Sequence, residues 1–186
     1  MGGGWWGVAP LVVALVACGG EDGADARGGG RFAPLRAGSP VPAYAAVDLA
    51  GDTVRLSDLE GDVVVLNLWA MWCHPCREEM PALQTLHETY RDRGLEVVGV
   101  SIDGRSSGDL IPGFLDEVGV DFRILRDPEE RVVRSFTTMG VPETFLIGRD
   151  GPLLHRWVGA FDPMADEHRE RIEAALAEEV SCPITS

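Results

Sequence analysis

The longest uninterrupted apolar stretches lie in the middle of the chain. Val63-Val64-Val65-Leu66-Asn67-Leu68-Trp69 carries one polar residue in seven. Together with Asp62 it reads as a strand covered on both faces, as at the centre of a sheet. Leu95 to Ile102 repeats that pattern. Between them, Arg77 to Tyr90 mixes apolar and charged residues at helical spacing. Upstream, Ala43 to Asp48 and Thr53 to Leu56 flank a Gly51-Asp52 turn and predict a hairpin, followed by a helical turn at Ser57-Asp58-Leu59. Downstream the pattern predicts a helix over Asp109 to Val118, a short strand over Phe122 to Leu125 and a helix over Pro128 to Phe136. Glu143 to Ile147 and Leu153 to Val158 flank Arg149-Asp150-Gly151, a second hairpin signal, and an amphipathic helix runs from Asp162 to Glu179. Strands alternating with helices place the chain in the α/β class, with a central sheet flanked by helices.

The N-terminal pattern is different. Val8 to Ala17 is apolar but far too short to span a bilayer as a helix. Leu15-Val16-Ala17-Cys18 fits a bacterial lipoprotein signal, in which Cys18 is acylated and becomes the mature N-terminus. Met1 to Gly7 lacks the Lys or Arg that secretory signals carry there; either the α-amino group suffices or the true start lies upstream. Gly19 to Gly38 is rich in Gly, Ala, Asp and Arg without apolar period and reads as a flexible tether, with an r.m.s. reach of about 25 Å. The expected organisation is therefore a signal peptide over 1–17, a tether over 18–38, one domain over 39–180 and a tail over 181–186. It places the protein outside the cytoplasm, on the periplasmic side, held to a membrane by lipid on Cys18. Of 186 residues, 45% are apolar, which is ordinary for one globular domain. The net charge of −14 argues against nucleic acid as a partner. All 16 basic residues are arginine, scattered without a patch.

The candidate chemistry sits at the junction of the first buried strand and its helix. Cys73-His74-Pro75-Cys76 places two thiols three residues apart at a helix start, able to close one disulfide and so to act as a two-electron couple. Cys73 is the expected attacking thiol, because unpaired N–H groups and the helix dipole favour its thiolate. Cys76, one turn further in, is the expected resolving thiol. Cys182 is left over and reads as an incidental tail cysteine. Zinc would need four ligands, and His74, His87, His155 and His168 show no matching spacing. Haem attachment would need His, not Arg77, after Cys76.

A second motif, Gly140-Val141-Pro142-Glu143-Thr144-Phe145-Leu146-Ile147, sets a proline directly before a strand. With it, Asn67-Leu68-Trp69-Ala70-Met71-Trp72-Cys73-His74-Pro75-Cys76-Arg77-Glu78-Glu79-Met80-Pro81 resembles the TlpA/ResA group of extracytoplasmic thioredoxin-like proteins, over about residues 39–180. The resemblance implies a thioredoxin-like fold with an extra helix and strand around Asp103 to Arg126, and a cis Pro142 facing the disulfide. It also implies a membrane-anchored thiol-disulfide oxidoreductase that needs no cofactor beyond its own disulfide. Its partners would be protein clients, apocytochrome c or the copper-site cysteines of an oxidase, and a transmembrane electron donor.

Thioredoxin carries an acid six residues before its first cysteine; here that position is Asn67, which takes no proton at neutral pH. Glu79, three residues after Cys76 on the same helical face, is the expected substitute, and the resemblance assigns a functional glutamate to this position. Trp72, His74, Pro75, Val141 and Pro142 are the candidate client-contacting residues. Trp72 would form part of the docking surface, and Val141 would offer backbone hydrogen bonds to an extended segment. His74 either adds to thiolate stabilisation when protonated or stays an exposed loop residue. Pro75 suits the first helical turn, and Pro81 predicts a kink in the same helix. Two rivals stand beside this reading. A thiol peroxidase would want Thr or Ser at Ala70. Copper binding by adjacent thiolates, without turnover, is the non-enzymatic alternative, although a copper chaperone would show one more residue between its cysteines.

Overall fold

A computed structural model describes residues 1–2 and 35–178. The expected signal peptide beyond Met1 and Gly2, Cys18, most of the tether, Cys182 and the tail lie outside the described residues. Seven strands form one mixed sheet: β1 (Ala45–Asp48), β2 (Thr53–Arg55), β3 (Val63–Trp69), β4 (Leu95–Ser101), β5 (Arg123–Arg126), β6 (Glu143–Ile147) and β7 (Leu153–Val158). Their order is β2-β1-β5-β4-β3-β6-β7. β3, β4 and β5 are parallel, while β6 and β7 complete one side and the β1–β2 hairpin the other, all antiparallel. The two most apolar runs are thus neighbours at the centre, and β3 is buried along its whole length.

Among the described residues there are four α-helices: α1 (His74–Tyr90), α2 (Ile111–Val118) and α3 (Arg131–Ser135) between strands, and α4 (Asp166–Ala177) after β7. The expected extra helix and strand are α2 and β5, and β5 joins β4 to the N-terminal hairpin. The starts of all four helices differ from the sequence reading. α1 begins at His74 rather than Arg77, because Pro75 fits a first turn whose N–H groups need no partner. Residues Arg105–Leu110 form a 3-10 segment, so the α-helix read from Asp109 starts at Ile111. The helices read from Pro128 and Asp162 start at Arg131 and Asp166. α1 runs unbroken through Pro81, the residue expected to kink it.

Alternation along β3 divides the core. Asn67 and Trp69 point to the α1 side: Asn67 bonds a side chain of α1, and Trp69 stacks on Phe114 of α2 at 5.4 Å. A Cβ on Gly99 would lie 3.0 Å from the Trp69 indole nitrogen, so glycine makes room for that ring. Leu66 pairs with Phe145 across β6, and Phe145 packs on Phe136 at 5.0 Å.

Candidate active site

The thiols sit where β3 hands over to α1. Cys73 is the N-cap of α1 in an extended conformation, and its sulfur accepts the Cys76 N–H at 3.3 Å. The two cysteines form a disulfide. Cys73 is 4% exposed and Cys76 fully buried, so a client can reach only Cys73. The Cys76 N–H on the Cys73 sulfur and the dipole of the helix start favour its thiolate when the bond is open.

The loop leading to Cys73 is held from β4. Asp103, buried just beyond that strand, accepts the Met71 N–H on both carboxylate oxygens, at 3.2 and 3.0 Å, and the Ser101 hydroxyl at 2.9 Å. Sequence reasoning missed Asp103. The available signal was an acid directly after an apolar strand, but its partner is a backbone N–H, which no side-chain pattern reveals.

Glu79 is buried behind the disulfide. Its Oε1 accepts the Asn67 Nδ2 at 2.6 Å, and its Oε2 accepts the Phe161 N–H at 3.3 Å. Asn67 also donates to the Thr144 hydroxyl at 2.9 Å. Burial pushes the Glu79 carboxyl up to about 7, against the two hydrogen bonds, which favour the charged form. Asn67, set aside in the sequence as a residue that takes no proton, therefore holds the residue expected to replace it. Phe161 and Thr144 carried no sequence signal of this kind. The carboxyl opens toward a shallow cavity lined by Pro75, Glu78, Ala82, Ala160 and Asp162.

The remaining candidates lie around the same end of the sheet. The Val141-Pro142 bond is cis, and Pro142 directly precedes Glu143, which pairs with Leu68 near the end of β3. Pro142 is buried, Val141 partly so. The loop before them is fixed by Glu143, which accepts the Met139 N–H at 3.2 Å and pairs with Arg156. Trp72 is 70% exposed, and Met139 and Val158 are exposed apolar residues at the same end of the sheet. His74 is exposed, 3.4 Å from Glu78 one turn on, and Pro75 lies in the first turn of α1. Among the described residues, no three of His, Cys, Asp and Glu converge as metal ligands.

The chain is similar to known proteins in sequence and fold. The sequence model of the AhpC/TSA family matches residues 37–156. The thiol-disulfide oxidoreductase ResA of Bacillus anthracis is 28% identical over 142 residues, covering 76% of this chain and 78% of its own. ResA of Geobacillus kaustophilus is 34% identical over 114 residues, 61% of this chain and 64% of its own. A crystal structure from Chlorobium tepidum, a candidate thiol:disulfide interchange protein DsbE, is 35% identical. It matches with a TM-score of 0.70 over 76% of this chain and 99% of its own. A secreted thiol-disulfide isomerase from Corynebacterium glutamicum is 26% identical, with a TM-score of 0.63 over 73% of this chain and 83% of its own.

Proposed function

The chain belongs to the AhpC/TSA family, as a thiol-disulfide oxidoreductase of the ResA and DsbE type, and from that premise we propose that it reduces client disulfides through Cys73, Cys76 and Glu79. The observation that carries this reading is the Glu79 carboxyl, buried one turn beyond Cys76 and ionising near neutrality. The Cys73 thiolate attacks one sulfur of the client disulfide, forming a mixed disulfide and releasing a client thiolate. Glu79 then takes the Cys76 proton, and the Cys76 thiolate attacks the Cys73 sulfur. The Cys73–Cys76 disulfide forms, the bond to the client breaks, and the second client thiolate leaves. Two electrons pass from protein to client, and the protons of the original dithiol end on the client thiols.

Trp72, with His74 and Pro75 beside it, supplies an apolar rim for the client together with Met139 and Val158 and with Val141 and Pro142 of the adjoining proline loop. Clients of this kind are apocytochrome c or copper-site cysteines, and re-reduction comes from a donor across the membrane; the TlpA/ResA resemblance supports both. Catalytic thiol release from a disulfide peptide by the pre-reduced domain, with more than one turnover when a reductant is supplied, is the expected result. Stoichiometric Cu(I) retention without turnover would replace this reading by the copper-binding one.

The site works outside the cytoplasm, tethered by lipid on Cys18. The Leu15-Val16-Ala17-Cys18 motif and the secreted Corynebacterium relative support this placement. Cys18→Ser is expected to release a soluble domain with unchanged redox activity. Membrane fractionation and intact mass check it; a mature chain that retains Met1 contradicts it.

A further inference from the structure

The segment between β7 and α4 supplies one of the two hydrogen bonds to Glu79, and it is gripped by an aromatic cluster away from the thiols. The Phe161 ring stacks on Trp157 of β7 at 4.6 Å, with the planes 13° apart. His168 of α4 meets both rings edge-on, at 5.6 Å from Trp157 and 5.4 Å from Phe161. The His168 Nδ1 lies 2.7 Å from the carbonyl oxygen of Asp162, the residue after Phe161. A carbonyl only accepts, so Nδ1 carries the hydrogen and the tautomer is fixed. The same segment is tied at its start to the proline loop, where the Gly159 N–H donates to the Pro142 carbonyl at 3.0 Å.

We propose that His168 is a positioning residue for Glu79: its ring and its Nδ1–H lock the β7–α4 segment so that the Phe161 N–H stays on the carboxylate. This rests on the reading of Glu79 as the proton acceptor for Cys76. Trp157 extends the grip into the sheet, because its cross-strand partner is Thr144, the residue whose hydroxyl meets Asn67. The titratable groups facing His168 are Glu167 on its own helix, at 3.5 Å from Nε2, and His155 of β7, whose ring packs on Trp157. Arg171 and His168 both disfavour the charged form of His155, after burial. The groups bonded to Glu79 are Asn67 from β3 and the Phe161 N–H from the β7–α4 segment, both uncharged; the carboxylates that share its cavity are Glu78 of α1 and Asp162 of the β7–α4 segment.

The sign of the effect follows from the chemistry of the bond. An N–H on a carboxylate favours its charged form, so releasing Phe161 makes Glu79 hold its proton to higher pH. His168→Phe keeps an aromatic ring in the cluster and removes the Nδ1–H. His168→Asn restores a donor near the same place. Phe161→Leu keeps the N–H but removes the ring that is gripped. The measurements are the side-chain carboxyl titration of Glu79 by carbon NMR, and the pH profile of disulfide-peptide reduction from about pH 5.5 to about 8.5. His168→Phe and Phe161→Leu are expected to move the Glu79 midpoint upward by about one pH unit, the low end for one hydrogen bond to a charged group. The rate profile follows it. His168→Asn stays near wild type, and in a Glu79→Gln background His168→Phe adds no shift to the profile. An unmoved Glu79 midpoint in both loosening variants, or a rate lowered equally at every pH, overturns the role of His168. If instead Glu79→Gln alone leaves the rate profile unchanged, the assignment of Glu79 to exchange falls, while the carboxyl titration still decides whether His168 holds it.

Discussion

Cys76→Ser accumulates mixed disulfides with clients, and Cys73→Ser forms none. The asymmetry follows from where each sulfur lies. Cys73 caps α1 and is the only one of the pair with any exposed surface; Cys76 is sealed beneath it. With Cys76 replaced, Cys73 still attacks a client disulfide, but no second thiol stands behind it to break the new bond. With Cys73 replaced, the remaining thiol is out of reach of a client. Turnover falls to the uncatalysed rate in both variants, so activity alone cannot tell them apart. The distinguishing measurement is the yield of trapped complexes on non-reducing gels after incubation with a disulfide-bonded client. Equal trapping through Cys76 alone would reverse the assignment of the two roles.

The sequence exposed the scaffold more fully than the site, and the reason lies in which contacts are local. Val63 to Trp69 and Leu95 to Ile102 announced a doubly covered sheet centre because all but one or two of seven or eight successive positions are not polar. The thiol pair was legible because its spacing alone lets two side chains on one helical turn meet. Glu79 stood out by its spacing from Cys76 and by the resemblance; position alone does little to separate it from the exposed Glu78 one residue earlier. What separates the two is burial against β3 and the bonds from Asn67 and Phe161, residues 12 and 82 positions away. Asp103 and Met71 meet 32 residues apart through a backbone group. Such pairings depend on strand order and on where loops return, and side-chain periodicity carries no record of either. The helix starts failed for a related reason. Pro128 and Asp162 are good breakers and caps locally, but backbone bonds such as Glu130 N–H to the Asp127 carbonyl and Ala165 N–H to the Asp162 carbonyl turn those segments before the helices begin.

Glu79→Gln slows exchange near neutral pH and flattens the loss of stability that wild type shows as pH rises. The kinetic effect has one cause: the amide accepts no proton, so Cys76 must lose its own to water. The expected slowing is about a hundredfold or more around neutrality, the lower range for removing a positioned base. It fades at high pH, where hydroxide suffices. Glu78→Gln, on the exposed side of the same helix, is the control and keeps the wild-type profile. The stability effect follows from linkage. The Glu79 carboxyl is raised in the folded protein from 4.5 to about 7, first by burial. A raised acid binds its proton more tightly when folded, so its contribution is complete below the unfolded value and is lost as pH climbs through the folded one. Wild type therefore loses stability between about pH 4.5 and about pH 7, by about 3 kcal/mol at most. Glutamine does not titrate, and it keeps an oxygen for Asn67. Denaturant unfolding of the oxidised proteins at several pH values measures the difference directly. Wild type and Glu79→Gln diverge as pH rises, the variant becoming the more stable above neutrality while the slower in exchange. A parallel pair of stability curves would mean that Glu79 titrates in the folded protein as it does in water, and with that the proton acceptor would have to be sought elsewhere.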